Sequence, residues 1–219
     1  MDYAKKVVRG TLIVFVAQIL ATLLWYLIRM LVAREFSVAD FGLVYAIIGF
    51  FGLFSIFIDI GIYTALTKFI AEYSIKREFS KIKSIVNASM IVSLSLSFVL
   101  GLVFMLLSKY LADNYFAVEA SWIFITLYAA YFMLSPLVFI IKSVFRGFQN
   151  MQLYAFAEFV QPLALLIVLG SMVYSGFGLV SVFIAYVVSN LVVFLVFYPL
   201  FFKKVFPDYF SVNGPVGKE

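Results

Sequence analysis

Cysteine and histidine are both absent from these 219 residues. Their absence removes disulfides, thiolate nucleophiles, thiolate and imidazole metal ligands, and an imidazole general base. Charge is scarce as well: only 12% of residues are Asp, Glu, Lys or Arg, while 65% are hydrophobic. A soluble domain carries about twice that charged fraction and about 45–50% apolar residues. The surplus apolar surface is at odds with a water-exposed fold and makes the bilayer the expected solvent. No metal site and no cofactor are expected. The net charge of +5 is read by its placement rather than as a nucleic-acid footprint.

Six stretches are long enough to cross a hydrocarbon core, which takes about 20 apolar residues. They run over 10–33, 41–66, 83–108, 118–141, 151–174 and 178–202. The expected fold is therefore an all-α integral membrane protein with a six-helix transmembrane unit over 1–205. A polar tail or linker over 206–219 follows. The first stretch is too long for a secretory signal. Cations assign the sides, because cytoplasmic loops carry the excess of Lys and Arg. Lys5, Lys6 and Arg9, then Lys68, Lys76, Arg77, Lys81 and Lys83, then Lys142 and Arg146, then Lys203, Lys204 and Lys218 fall on one side. Only Arg29, Arg34 and Lys109 fall on the other. Both termini are expected in the cytoplasm, with the chain in the cell membrane and surrounded by its lipids.

Local signals punctuate these spans. Ser37-Val-Ala-Asp40 fits a capping box, in which Ser37 covers free amides at a helix start. Ser80 and Asn150 are expected to cap spans three and five, and Ser175-Gly-Phe-Gly178 to form a tight turn. Pro136 and Pro162 fall inside spans four and five, where a missing N–H frees a carbonyl. Residues 67–83 mix aromatic and basic side chains and are expected along the membrane interface. Small residues recur every four positions at Ser89, Ser93, Ser97 and Gly101, and at Ser181, Ala185 and Ser189, as in close helix packing.

Other polar stripes suggest a site. Gln18, Thr22, Trp25 and Arg29 recur at helical spacing on span one. Gly42, Gly49, Gly52, Ser55 and Asp59 lie broadly on one side of span two. Tyr154, Glu158, Gln161 and Pro162 share a face of span five. A charge near the bilayer centre costs about 2.5–3.5 kcal/mol on insertion scales, so intramembrane ionisable residues read as functional by default. At 1.5 Å per residue, Arg29 lies near the outer end of span one and Glu158 about 12 Å into span five. Asp59 and Glu158 share the inner half with Lys142 and Arg146, so these four form an expected inner charge cluster. Asp59 and Glu158 are candidates for binding a coupling H+ or Na+.

The stretch RMLVAREFSVADFGLVYAIIGFFGLFSIFIDIGIYTALTKFIAEY, residues 29–73, resembles the N-terminal region of the polysaccharide transporter family. These are flippases of lipid-linked oligosaccharides within the multidrug/oligosaccharidyl-lipid/polysaccharide exporter superfamily. The resemblance rests on a first helix ending in a basic residue, a Ser-x-x-Asp-Phe-Gly loop, and a second helix whose ending carries Gly61, Ala65, Leu66, Lys68, Phe69, Ile70 and Ala71. FRGFQNMQLYAFAEFVQP, residues 145–162, is similar to the family's entry into its fifth helix. The resemblance implies a two-lobe exporter working by alternating access, of which this chain supplies one lobe. The second lobe would be another copy or a separate C-lobe. A lipid-linked glycan becomes the expected substrate, with Arg29 meeting its diphosphate and Gln18, Thr22, Trp25 and Gln161 its sugars. A multidrug extruder lobe and a non-transporting membrane partner are the alternatives. An enzyme is not expected, because no paired carboxylates stand in a loop at the membrane surface.

Overall fold

The computed structural model describes residues 2–209, and they are all-helical. The tail 210–219 lies outside the described residues, as do the side chains of Lys5, Lys6, Arg9 and Lys204. The helices are α1 (Asp2–Glu35), α2 (Val38–Asp59), α3 (Ile62–Lys76), α4 (Phe79–Leu106), α5 (Ser108–Asn114), α6 (Ser121–Gly147), α7 (Met151–Tyr174) and α8 (Val180–Leu200). A π-helical turn (Phe201–Val205) and a 3₁₀ turn (Pro207–Tyr209) follow. Six of these helices are long and apolar enough to cross a membrane, namely α1, α2, α4, α6, α7 and α8. An apolar environment forces this solution, since every backbone N–H and C=O must be satisfied inside the segment.

The expected starts and stops are visible in the caps. The Ser37 Oγ accepts from the Asp40 amide at 3.1 Å and donates to the Asp40 carboxylate at 2.7 Å. The Asn150 side chain accepts from the Leu153 amide at 3.2 Å and opens α7. Gly176 and Gly178 both take positive φ in the turn before α8. Ser80, expected as a cap, instead lies inside α4, which starts after Glu78. Residues 206–209, expected to belong to a polar tail, fold back on the bundle: Phe206 is buried against Phe79 and Phe148, and the Tyr209 hydroxyl donates to Asn87.

The largest departure is the second span. Expected as one helix over 41–66, it breaks at Ile60 and Gly61, with φ of 34° and 79°. A β-branched residue in the left-handed region costs about 1–2 kcal/mol. The Asp59 carboxylate offsets part of this by accepting the Tyr63 amide at 3.2 Å, so it caps the start of α3. The α3 helix then runs beside α6: Tyr63 stacks on Phe139, the Thr67 hydroxyl donates to the Ser143 carbonyl at 3.3 Å, and Ile70 packs on Gly147. A periodicity reading passes over this break because 41–66 contains no proline and is long enough for a single span, although Asp59 and Gly61 flank the turn.

The helices pack in the order α1–α7–α8–α6, with α2, α3 and α4 around the far side of α6. Gly101 of α4 sits against Met133 of α6, and the Ser97 hydroxyl donates to the Met133 carbonyl at 3.1 Å. The small-residue stripe therefore sets the α4–α6 approach. Two apolar cores are stacked along the bundle. One joins Ile28, Ile47, Phe51, Phe104, Phe132 and Phe183; the other joins Leu66, Ile70, Ile82, Val144, Phe145 and Phe197. The basic loops lie at the end of the second core.

Candidate functional site

Between the two cores lies a belt where the spanning helices turn polar. Ser93 and Ser97 of α4, Ser135 of α6, Gln161 of α7, and Ser189 and Asn190 of α8 are all buried here. Most of these hydroxyls bond back to carbonyls of their own helices, as Ser135 does to Phe132 at 2.8 Å and Ser189 to Tyr186 at 2.8 Å. The longer side chains cannot, so they reach across helices.

Lys142 is the centre of that reach. Its α-carbon is five residues before the end of α6, but a helical Cβ tilts toward the helix N-terminus. The ammonium is therefore carried toward the middle of the bundle. There it pairs with the Glu158 carboxylate at 3.1 Å and donates to Gln161 Oε1 at 2.7 Å. Gln161 Nε2 donates to Asn190 Oδ1 at 3.2 Å, and Asn190 Nδ2 to the Tyr131 carbonyl at 3.5 Å. The result is one polar chain through α7, α6 and α8. The Lys142 side chain is 9% exposed and that of Glu158 31%, so Glu158 is the wetter end. Arg146, one turn beyond Lys142, lies over the Tyr154 ring at 5.4 Å.

The stripe on α1 has a different setting. Gln18, Thr22, Trp25 and Arg29 are all exposed, and the Thr22 hydroxyl donates to the Gln18 carbonyl of its own helix at 2.8 Å. Trp25 stacks on Tyr186 of α8 at 6.3 Å, and the Arg29 guanidinium sits over the Tyr45 ring of α2 at 4.8 Å. Tyr128, Tyr131 and Tyr186 pack mutually behind them at 5.0–5.4 Å.

The structure thus brings together Lys142, Glu158 and Gln161, and separately Trp25 with Arg29. Gln161, grouped from the sequence with the α1 stripe, makes its hydrogen bonds in the Lys142 chain. Asp59, grouped with Lys142 and Arg146, makes no ion pair with either among the described residues and caps α3. Sequence reasoning missed Asn190 and the three tyrosines. Asn190 follows directly on the 181–185–189 stripe, so its polarity was a readable signal. The tyrosines come from two helices distant in sequence, and only packing assembles them.

An all-helical bundle with six helices fit to cross a membrane, carrying the Lys142–Glu158 pair between its two apolar cores, defines a multi-pass membrane protein. The model of the polysaccharide biosynthesis protein family matches residues 7–215, and the chain belongs to that family. A membrane protein of Methanocaldococcus jannaschii described as uncharacterized is 24% identical over 221 residues. That alignment covers 95% of this chain and 43% of the relative, so the chain spans less than half of that protein's length. No solved structure matches.

Proposed function

We propose that this chain is one six-helix lobe of a transporter that moves a lipid-linked oligosaccharide or polysaccharide precursor across the cytoplasmic membrane by alternating access. Both termini face the cytoplasm, as the loop cations require. The unit spans 1–205 with Phe206 and Tyr209 packed back on it, and the rest of the polar segment 206–219 serves the link to a second lobe. The archaeal relative, of which this chain covers 43%, is long enough to hold two such units, and parallel lobes are related by an axis along the membrane normal. A second copy of this chain is the other source of that lobe.

The observation that carries this reading is the polar chain from Glu158 through Lys142, Gln161 and Asn190, set between the two apolar cores of a family member built for the bilayer. A purely structural bundle has no need of these groups, since apolar residues fill the same space at lower desolvation cost. A transporter needs them, to stabilise a polar path and to hold a coupling H+ or Na+ near Glu158. The exposed Arg29 on α1 supplies the cation that an anionic headgroup would meet. An extruder of cationic drugs needs a deep carboxylate without a basic neighbour, whereas Glu158 has Lys142 at 3.1 Å.

The test is charge reversal at the exposed end of the α1 stripe. In cells that depend on this protein for glycan export, Arg29→Glu is expected to abolish export while leaving the amount of protein in the membrane unchanged. Normal export by that variant would remove Arg29 from the transport path.

A further inference from the structure

A cleft of about 380 Å³ opens between α1 and α7, at the end of the bundle away from the basic loops, lined by Leu27, Met30, Leu31, Arg34, Glu35 and Leu166. That volume is in the range of small-ligand sites. None of its residues belongs to the Lys142 chain or to the contact of Trp25 with Tyr186. At 1.5 Å per residue the cleft reaches about 12 Å along α1, from Glu35 to Leu27. Leu27, Leu31 and Glu35 follow at intervals of four, and Met30 and Arg34 form the row beside them. One helix face therefore carries an apolar strip that ends in two charges.

The strip is open: Leu27 and Met30 are each 40% exposed, and Leu31 and Leu166 are half-buried. The charges stand at its mouth. Arg34 and Glu35 are exposed, and neither forms an ion pair among the described residues. Consecutive helical residues do not face each other, so the two do not neutralise one another directly. Arg34 suits the carbonyl end of α1. Glu35 does not, because a carboxylate there meets the negative end of the helix dipole. A fitting occupant brings an apolar chain, an anion for Arg34 and a cation for Glu35, close together on one molecule.

We infer that this cleft holds one phospholipid with a phosphoethanolamine headgroup, drawn from the leaflet at this end of the bundle. An acyl chain lies along Leu27, Met30, Leu31 and Leu166. The phosphate pairs with the Arg34 guanidinium in two-pronged fashion, and the primary ammonium donates to the Glu35 carboxylate. A choline headgroup has no N–H to donate, and a glycerol headgroup brings no positive charge. This lipid is bound rather than carried, so the inference goes beyond the transport reading and is independent of what is transported. With both termini in the cytoplasm, the leaflet concerned is the outer one.

Native mass spectrometry of the full chain, released from detergent with one added lipid at a time, provides the test. Dioleoyl phosphatidylethanolamine is expected to bind as a single tight adduct. Its affinity is expected to exceed that of the choline and glycerol lipids with the same chains by about fivefold, the most that one exposed ion pair supplies. Equal binding of the three overturns the site. Glu35→Gln is expected to erase the difference between ethanolamine and choline lipids, and a preserved difference overturns the assignment. Arg34→Gln is expected to weaken all three, and unchanged binding removes the phosphate contact on which the site depends. Both side chains are exposed, so neither variant threatens the fold. Leu31→Trp fills the strip and is expected to remove the tight adduct whatever the headgroup; an adduct that persists lies elsewhere. Displacement of the ethanolamine lipid by equimolar geranylgeranyl diphosphate would give the cleft to a transported carrier lipid instead. A parent dimer that becomes a monomer in Leu31→Trp would give it to a second copy of the chain.

Discussion

The two polar regions of this bundle satisfy their groups in opposite ways. Around Lys142 each long polar side chain finds its partner inside the protein, so the chain from Glu158 to the Tyr131 carbonyl closes on itself. Around Trp25 the hydroxyls of the buried Tyr128 and Tyr186 make no hydrogen bond to a described residue and Arg29 lies over the Tyr45 ring, with aromatic rings for neighbours. The first ties α6, α7 and α8 together and keeps its wetter end at Glu158; the second spends no polar side chain on joining helices. The contrast says which residues to expect in stability measurements and which not.

The strongest way to break that contrast is to cut the closed network. Lys142→Met leaves the Glu158 carboxylate without its cation in a mostly buried place, and is expected to destabilise the protein by about 3–5 kcal/mol. Adding Glu158→Gln is expected to recover most of that loss, because no unpaired charge remains. Thermal unfolding in nanodiscs reads both, and Tyr128→Phe/Tyr186→Phe is expected to leave the midpoint nearly unchanged. A fall for the tyrosine pair as large as that for Lys142→Met would erase the distinction between the regions.

A smaller effect sharpens it by probing packing alone. At Gly147 an added Cβ would lie 2.7 Å from Ile70 Cβ and 3.1 Å from the Thr67 carbonyl oxygen. Gly147→Ala is expected to cost about 1–3 kcal/mol, since a β-branched side chain and backbone cannot yield. Gly101→Ala meets Met133 at 2.5 Å but is expected to cost less, because methionine has three rotatable bonds. Equal costs would mean that α3 can slide on α6.

The smallest effect lies outside the spans. Lys76 donates to Glu72 at 2.6 Å on the exposed side of α3, and this holds the Glu72 carboxylate below its ordinary range. A lowered folded-state value stabilises above the unfolded-state pKa, and the gain disappears as pH falls through the folded value. Glu72→Gln is expected to leave the unfolding midpoint unchanged within error at neutral pH, as exposed pairs are screened. A clear loss at neutral pH that vanishes in acid would make α3 more dependent on its surface charge than its buried Leu66 and Ile70 suggest.

Much of this arrangement was legible because the bilayer leaves few options. Span five was expected over 151–174 and α7 covers the same residues, since Asn150 caps its start and a Gly-rich turn ends it. The serine and glycine stripe on α4 read as close packing, and Ser97 and Gly101 do meet Met133. The break at Ile60 was passed over, although Asp59 and Gly61 on either side are turn-forming residues, because the length of the apolar stretch suited one spanning helix. Lys142 was placed near the membrane edge by counting residues, whereas its long side chain follows the Cβ direction to Gln161.

The sequence by itself determined that the chain is helical, how many helices are fit to span, and where its cations collect. Those follow from composition and period, because unsatisfied backbone in lipid is prohibitive whatever the neighbours are. Only the tertiary structure decided that Gln161 joins Lys142 and Asn190, that Asp59 caps a helix, and that Trp25 of α1 meets Tyr186 of α8. Such meetings depend on which helix lies beside which and at what height. Helix neighbours are chosen by the sum of many small packing contacts, and no single stretch of sequence carries that sum.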